Sequence, residues 1–223
     1  MMKLSRLNLL DEMLDETEEP KKGFLSWFSS RIKSHRRLFK IEIPKYYYHR
    51  GEMYAKFLDH ELLDQGVELD YQFGLSQLIY VIYDDYLRLI QRGANMHSFA
   101  KHLIKQKRVV MQGTQNVRDW EQSSHYQYNA IERQRISPAL SPYLTDHTVT
   151  AGVMMEEDDI RDGEMIVRDI KRQYEEFNLI LEEMIQIRYV EIMDSVIAGE
   201  SGDMTKEIIK LLKTYEMEKL KRC

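Results

Sequence analysis

Asp84 and Asp85 stand side by side between Tyr83 and Tyr86. Adjacent carboxylates raise one another's pKa, so one can hold a proton while the other accepts one. That is raw material for acid–base catalysis, but no nucleophile is spaced to meet the pair. The expectation is therefore that both acids sit on the solvated edge of a helix. Asp59, His60 and Glu61 bring three metal-ligand types together in succession. Consecutive helical residues point in different directions and cannot close on one ion. The seven histidines (35, 49, 60, 97, 102, 125 and 147) include no pair three or four apart, the spacing that shares a metal on one helical face. Gly199-Glu200-Ser201-Gly202 approaches a nucleophile elbow, yet its second glycine comes one position early, and it reads as an inter-helix turn. Neither phosphate-cradling glycine motif occurs. The acids from Glu156 to Glu164 lack the alternation of a calcium loop; they suit the positive end of a helix dipole. The only cysteine, Cys223, permits neither an intrachain disulfide nor a cysteine zinc site. No catalytic residue, metal or cofactor is expected.

The other chemical signal is charge. Between Lys21 and Arg50 lie nine Lys/Arg and one acid, Glu42, a formal charge of +8 in a chain totalling −5. Phe24, Trp27, Phe28, Phe39, Tyr46, Tyr47 and Tyr48 are threaded through these cations. Interleaved basic and aromatic groups fit an anionic or amphipathic partner. Phe24, Trp27, Phe28, Arg31, Lys33, Arg36, Arg37, Tyr46 and Tyr47 are thus the candidate partner-binding residues. Protein docking is favoured, because so continuous an apolar stripe is seldom left in water, and Trp and Arg are common hot spots. Nucleic acid, through phosphate neutralisation and base stacking, is the second reading. A membrane surface is the least favoured.

These residues need elements to position them. Leu4, Leu7, Leu10 and Leu14 predict a short acidic helix over residues 4–17, and residues 24–39 a basic amphipathic helix. Residues 41–44 read as an extended connector, since the residue before a proline leaves the helical region. A helix over about residues 47–65 follows, with Tyr54, Phe57, Leu58 and Leu62 inward and Gly66 as its stop. Phe73, Leu78, Ile79, Ile82, Tyr83, Tyr86, Leu89 and Ile90 predict a core helix. Asn95 caps the next helix, which buries Phe99, Leu103 and Ile104. Residues 113–150 lose the helical period and carry Trp120, Tyr126 and Tyr143, further partner-binding candidates on an extended arm. A small β-hairpin using residues 147–155 is the alternative there. From Ile166 to Val196 apolar residues recur every three or four positions, predicting one long helix turned back by Gly199 and Gly202 onto a shorter one. Phe177, Leu181, Met184, Ile185 and Tyr189 are its expected core or inter-chain seam.

The fold class expected is mainly α: a helical bundle with a long C-terminal αα-hairpin, an irregular or slightly β arm, and an amphipathic N-terminal extension. Its parts divide as 1–45 docking extension, 46–112 helical core, 113–155 arm and 156–223 hairpin. With 223 residues, 43% apolar and only 10 Gly and 4 Pro, the chain can bury a core and does not suit an all-β fold. The first twenty residues are acidic, the reverse of a signal peptide, and no apolar run is long enough to span a bilayer. A virion or cytoplasmic setting is expected. The functional expectation is a non-enzymatic structural protein joining protein subunits, in a homo- or hetero-oligomer, with a phage neck, tail or connector component as the architectural analogue. A nucleic-acid-binding or regulatory protein using residues 21–50 is the alternative.

Overall fold

The computed structural model describes residues 3–11, 35–67, 69, 71–91, 95–112, 147–199 and 201–214. Among the described residues the chain is mostly helical with one two-stranded antiparallel ribbon, β1 (Arg36–Pro44) and β2 (Thr148–Glu156). Besides a helical turn at residues 9–11, the described helices are α1 (Lys45–Asp64), α2 (Leu75–Gln91), α3 (Met96–Gln112), α4 (Glu157–Gln173), α5 (Leu181–Ile197) and α6 (Ser201–Thr214).

The ribbon organises the rest. Its register pairs Arg36 with Glu156 and Pro44 with Thr148, and two further backbone bonds, Lys45 N to His147 O and Glu157 N to His35 O, both 2.9 Å, close its ends. Each strand runs straight into a helix, β1 into α1 and β2 into α4. Because the strands are antiparallel, those helices leave from opposite ends. Phe39, Ile41 and Ile43 of β1 and Ala151, Val153 and Met155 of β2 point inward, the period of two that a half-buried strand requires. Beneath them one apolar cluster extends from Leu4 to Leu212 and draws on every helix.

Three sequence expectations change. Residues 36–39, expected as the end of the basic helix, are strand, because the alternation at 39, 41 and 43 outweighs the four-residue stripe. The strand in the 147–155 region is real, but it pairs with β1 and not with a local hairpin partner. The long C-terminal helix is two helices: α4 ends as Tyr174 turns extended (φ −133°, ψ 99°), and α5 starts at Leu181. Between them Phe177, Leu179 and Leu181 are buried alternately, a period of two hidden inside an apparent helical repeat. Gly199 (φ +75°) follows α5, of 17 residues, and precedes α6, of 14.

The N-terminal expectation also shifts. Residues 3–8 are not helical; the helix begins at Leu9. Ser5 Oγ accepts the amides of Leu7 (3.0 Å) and Asn8 (2.8 Å), a local turn that competes with helix. Two residues read as core lie outside it: Phe57 on α1 and Leu89 on α2 are exposed. Asn95 does cap α3, its Oδ1 accepting the amides of His97 (3.0 Å) and Ser98 (3.1 Å). No helix among the described residues is long and apolar enough to cross a membrane.

Candidate docking surface

The ribbon has one buried face, so alternation turns its other residues outward. On β1 these are Arg36, Leu38, Lys40 and the half-exposed Glu42; on β2 they are Thr148, Thr150, Gly152, Met154 and the half-exposed Glu156, which pairs in register with Arg36. Leu38 and Met154 are directly paired and are 46% and 37% exposed. Gly152 lets Leu38 lie across the neighbouring strand: a Cβ there would stand 3.0 Å from Leu38 Cδ1. Ser76 Oγ of α2 donates to Gly152 O (2.9 Å), and fixes the strand under that crossing. An apolar pair with Arg36 opposite Glu156 on one side and Lys40 on the other can take an amphipathic partner, its apolar groups at the centre and charged groups at the rim.

Of the candidate partner-binding residues, the structure brings Arg36, Arg37 and Tyr46 near this ribbon. Arg37 is committed elsewhere, Nε donating to Glu157 Oε1 (2.8 Å). Tyr46 is half-buried at the start of α1, edge-on to Tyr47 (ring centroids 5.6 Å apart), and its hydroxyl accepts from Arg50 Nε (3.2 Å). Tyr47 needs correction. It is fully buried, and its hydroxyl donates to Asp194 Oδ1 (2.7 Å), so it is a core residue and not a docking one. Phe24, Trp27, Phe28, Arg31, Lys33, Trp120, Tyr126 and Tyr143 lie outside the described residues. In the chain they precede β1 and β2. Phe177, Leu181, Met184, Ile185 and Tyr189 are all buried against their own chain.

The acid–base candidates Asp84 and Asp85 are half-buried on α2, not on its solvated edge. Asp84 accepts from Arg88 Nε (2.5 Å) one turn away, and Tyr83, beside it, donates to the main-chain oxygen of Asp159. Asp59 Oδ1 accepts the amide of Phe73 (3.0 Å), while His60 is exposed. His102 Nε2 lies 2.6 Å from Glu191 Oε1 and ties α3 to α5. Among the described residues, no group of three or more potential ligands is placed to hold a metal.

Sequence reasoning missed two fully or nearly buried carboxylates, Glu164 and Glu182, and a half-buried one. Glu164 of α4 is fully buried and accepts from Ser5 Oγ and the amides of Leu9 (3.0 Å) and Leu10 (2.5 Å). Glu182 of α5 accepts the amide of Arg6 (2.7 Å) on Oε1, while its buried Oε2 has no hydrogen-bond partner. Burial raises its pKa above the usual carboxylate range, against the opposing bond from Arg6. Together with Leu181 N donating to Leu4 O (2.9 Å), these groups clasp residues 3–11 into the core. The half-buried one is Asp194, raised to about 6 chiefly by desolvation, with the Tyr47 bond opposing. Glu164 could have been found from sequence, since it sits at the spacing of the buried Ile160 and Val167. Comparison with protein families, curated proteins and solved structures finds no match to this chain.

Proposed function

We infer that this is a non-enzymatic structural protein that joins subunits of a larger assembly, and that a protein partner docks on the outer face of the β1–β2 ribbon. A virion neck, tail or connector component is the architectural analogue. The observation that carries this reading is the exposed Leu38–Met154 pair, opposed in register on the outward face of the ribbon. An isolated exposed leucine is ordinary; two apolar residues opposed in register, with Arg36 and Glu156 on one side and Lys40 on the other, suit a docking surface.

The test is the mass of the native complex formed in the source cell or particle. Leu38→Glu with Met154→Glu is expected to release the chain from that complex, with unchanged far-UV circular dichroism. Retention of the doubly substituted, folded chain in the complex would refute the reading.

A second reading has one observation of its own. A two-stranded antiparallel ribbon can enter the major groove of DNA, and this one carries Arg36 and Lys40 outward. In that case Lys40→Glu would weaken binding to random-sequence DNA and flatten its salt dependence by roughly one unit of slope for each phosphate no longer neutralised. Protein docking depends instead on the apolar pair, and charge reversal would mainly slow association.

A further inference from the structure

Beyond the ribbon pair, the large apolar side chains exposed among the described residues are Leu89 and Met165, each alone on its helix, and three that share α1. These three are Met53, Phe57 and Leu63, at 63%, 45% and 51% exposure. At 3.6 residues per turn they occupy an arc of about 120°, on the side of α1 away from the buried Tyr47, Tyr54, Leu58 and Leu62. Past Leu63 the surface continues into an open groove of about 410 Å³, lined by Leu63, Val67, Leu69 and Tyr71 with Asp59 and Gln72.

Charge along this stripe is divided. Lys45, Arg50 and Lys56 lie in its first part, and Glu61 and Asp64 end it. Glu52, the acid in the cationic part, is matched by His49 (3.1 Å). Lys213 of α6, beside the acidic end, is turned onto Gln65 Oε1 (2.8 Å). Arg50 and Asp64 are each seven residues from Phe57. A two-fold axis through Phe57 therefore puts Arg50 of one copy level with Asp64 of the other, twice over. The same operation sets Phe57 against Phe57 and brings the first part of the second helix toward the groove beyond Leu63. A surface that matches Arg50 to Asp64 twice and sets Phe57 on itself meets the requirement of a closed two-fold contact, the same patch used by both copies.

We propose that two copies of the chain associate through α1, packed antiparallel about an axis at Phe57. The stripe from His49 to Asp64 rises about 22 Å, a small contact for a dimer, so association is weak and reversible. This does not rest on the ribbon reading, which concerns another face and another partner.

Sedimentation of the full chain over a concentration series from about 1 to about 300 µM tests it. The expected result is a monomer–dimer equilibrium that Phe57→Glu weakens by about tenfold or more. Arg50→Asp and Asp64→Arg should each weaken the dimer, and the two together should restore it to within about threefold of the starting value. A chain monomeric throughout the series, or a dimer indifferent to Phe57→Glu, overturns the proposal. Should Phe57→Glu fail to fold, the charge swap decides: no recovery in the double variant overturns the antiparallel contact. Leu38→Glu is expected to leave self-association unchanged, so a failure here is distinct from a failure of ribbon docking.

Discussion

Glu164 is fully buried and Asp194 half-buried, and the chain provides for the two carboxylates differently. Glu164 collects a hydroxyl and two amides, whereas Asp194 receives the Tyr47 hydroxyl and has Glu191 nearby. Its pKa rises from the ordinary 3.8 to about 6, so the folded chain holds the proton more tightly than the unfolded chain. The site's contribution to stability is then fully present below the unfolded value and is lost as the pH rises through about 6. Asp194→Asn keeps an acceptor for Tyr47 and removes the charge. It is expected to stabilise the fold by roughly 1–3 kcal/mol at neutral pH, with the gain vanishing by about pH 4. Thermal melts of both proteins across that range check this, and parallel curves would contradict it. Part of this scale is legible in the sequence. Glu164 is an acid on an apolar helical face, but the run of acids around it points to the helix dipole. Tyr47 misleads because a basic, aromatic neighbourhood looks the same whether the ring faces a partner or an internal carboxylate.

At the scale of elements, helices with an uninterrupted apolar face are readable: α1 with its Gly66 stop, α2, and α3 with its Asn95 cap. What local pattern cannot show is which period wins where two overlap. Residues 36–44 satisfy a strand once Thr148–Glu156 is beside them, and that partner lies more than a hundred residues along the chain. Residues 174–180 keep the phase of a helix, yet they leave it through a turn at 175–176, closed by Phe177 N donating to Tyr174 O (3.0 Å), and stay non-helical to Ile180, with Phe177, Leu179 and Leu181 buried together. Gly51 shows how closely two elements then approach. A Cβ added there would stand 1.7 Å from Tyr189 Oη and 2.9 Å from Leu75 Cδ1, where α1 packs on α5 and the Tyr189 hydroxyl donates to Tyr47 O (2.9 Å). Gly51→Ala should therefore cost about 3 kcal/mol in urea unfolding, at the upper end of overpacking costs. Removing the hydroxyl should relieve part of it. Tyr189→Phe in the Gly51→Ala background is expected to show a favourable coupling of about 1 kcal/mol or more. Strict additivity would mean that the two helices do not meet there.

On the scale of the whole molecule, residues 3–11 are held by parts of the chain more than 150 positions away. Ser5, Leu9 and Leu10 bond to Glu164, Arg6 bonds to Glu182, and the Arg6 guanidinium reaches Glu42 of β1 (2.7 Å). From sequence, residues 1–45 read as a docking extension because an acidic helix followed by a basic one resembles detachable chain. Local pattern does not reveal that the acceptors for these amides are acids on α4 and α5. The arrangement makes Glu164 conditional. With residues 3–11 in place it satisfies three donors; without them it becomes a carboxylate deprived of those partners, a state that costs several kcal/mol in an apolar site. Glu164→Leu is therefore expected to destabilise the full chain by about 2–4 kcal/mol, since Ser5, Leu9 and Leu10 lose their acceptor. In a chain lacking the first eleven residues the same substitution should be neutral or stabilising, because no donors remain to be orphaned. Urea unfolding of the four proteins reads this directly as a change of sign. If Glu164→Leu destabilises both backgrounds equally, residues 3–11 do not supply the donors of this carboxylate and the clasp does not exist in solution.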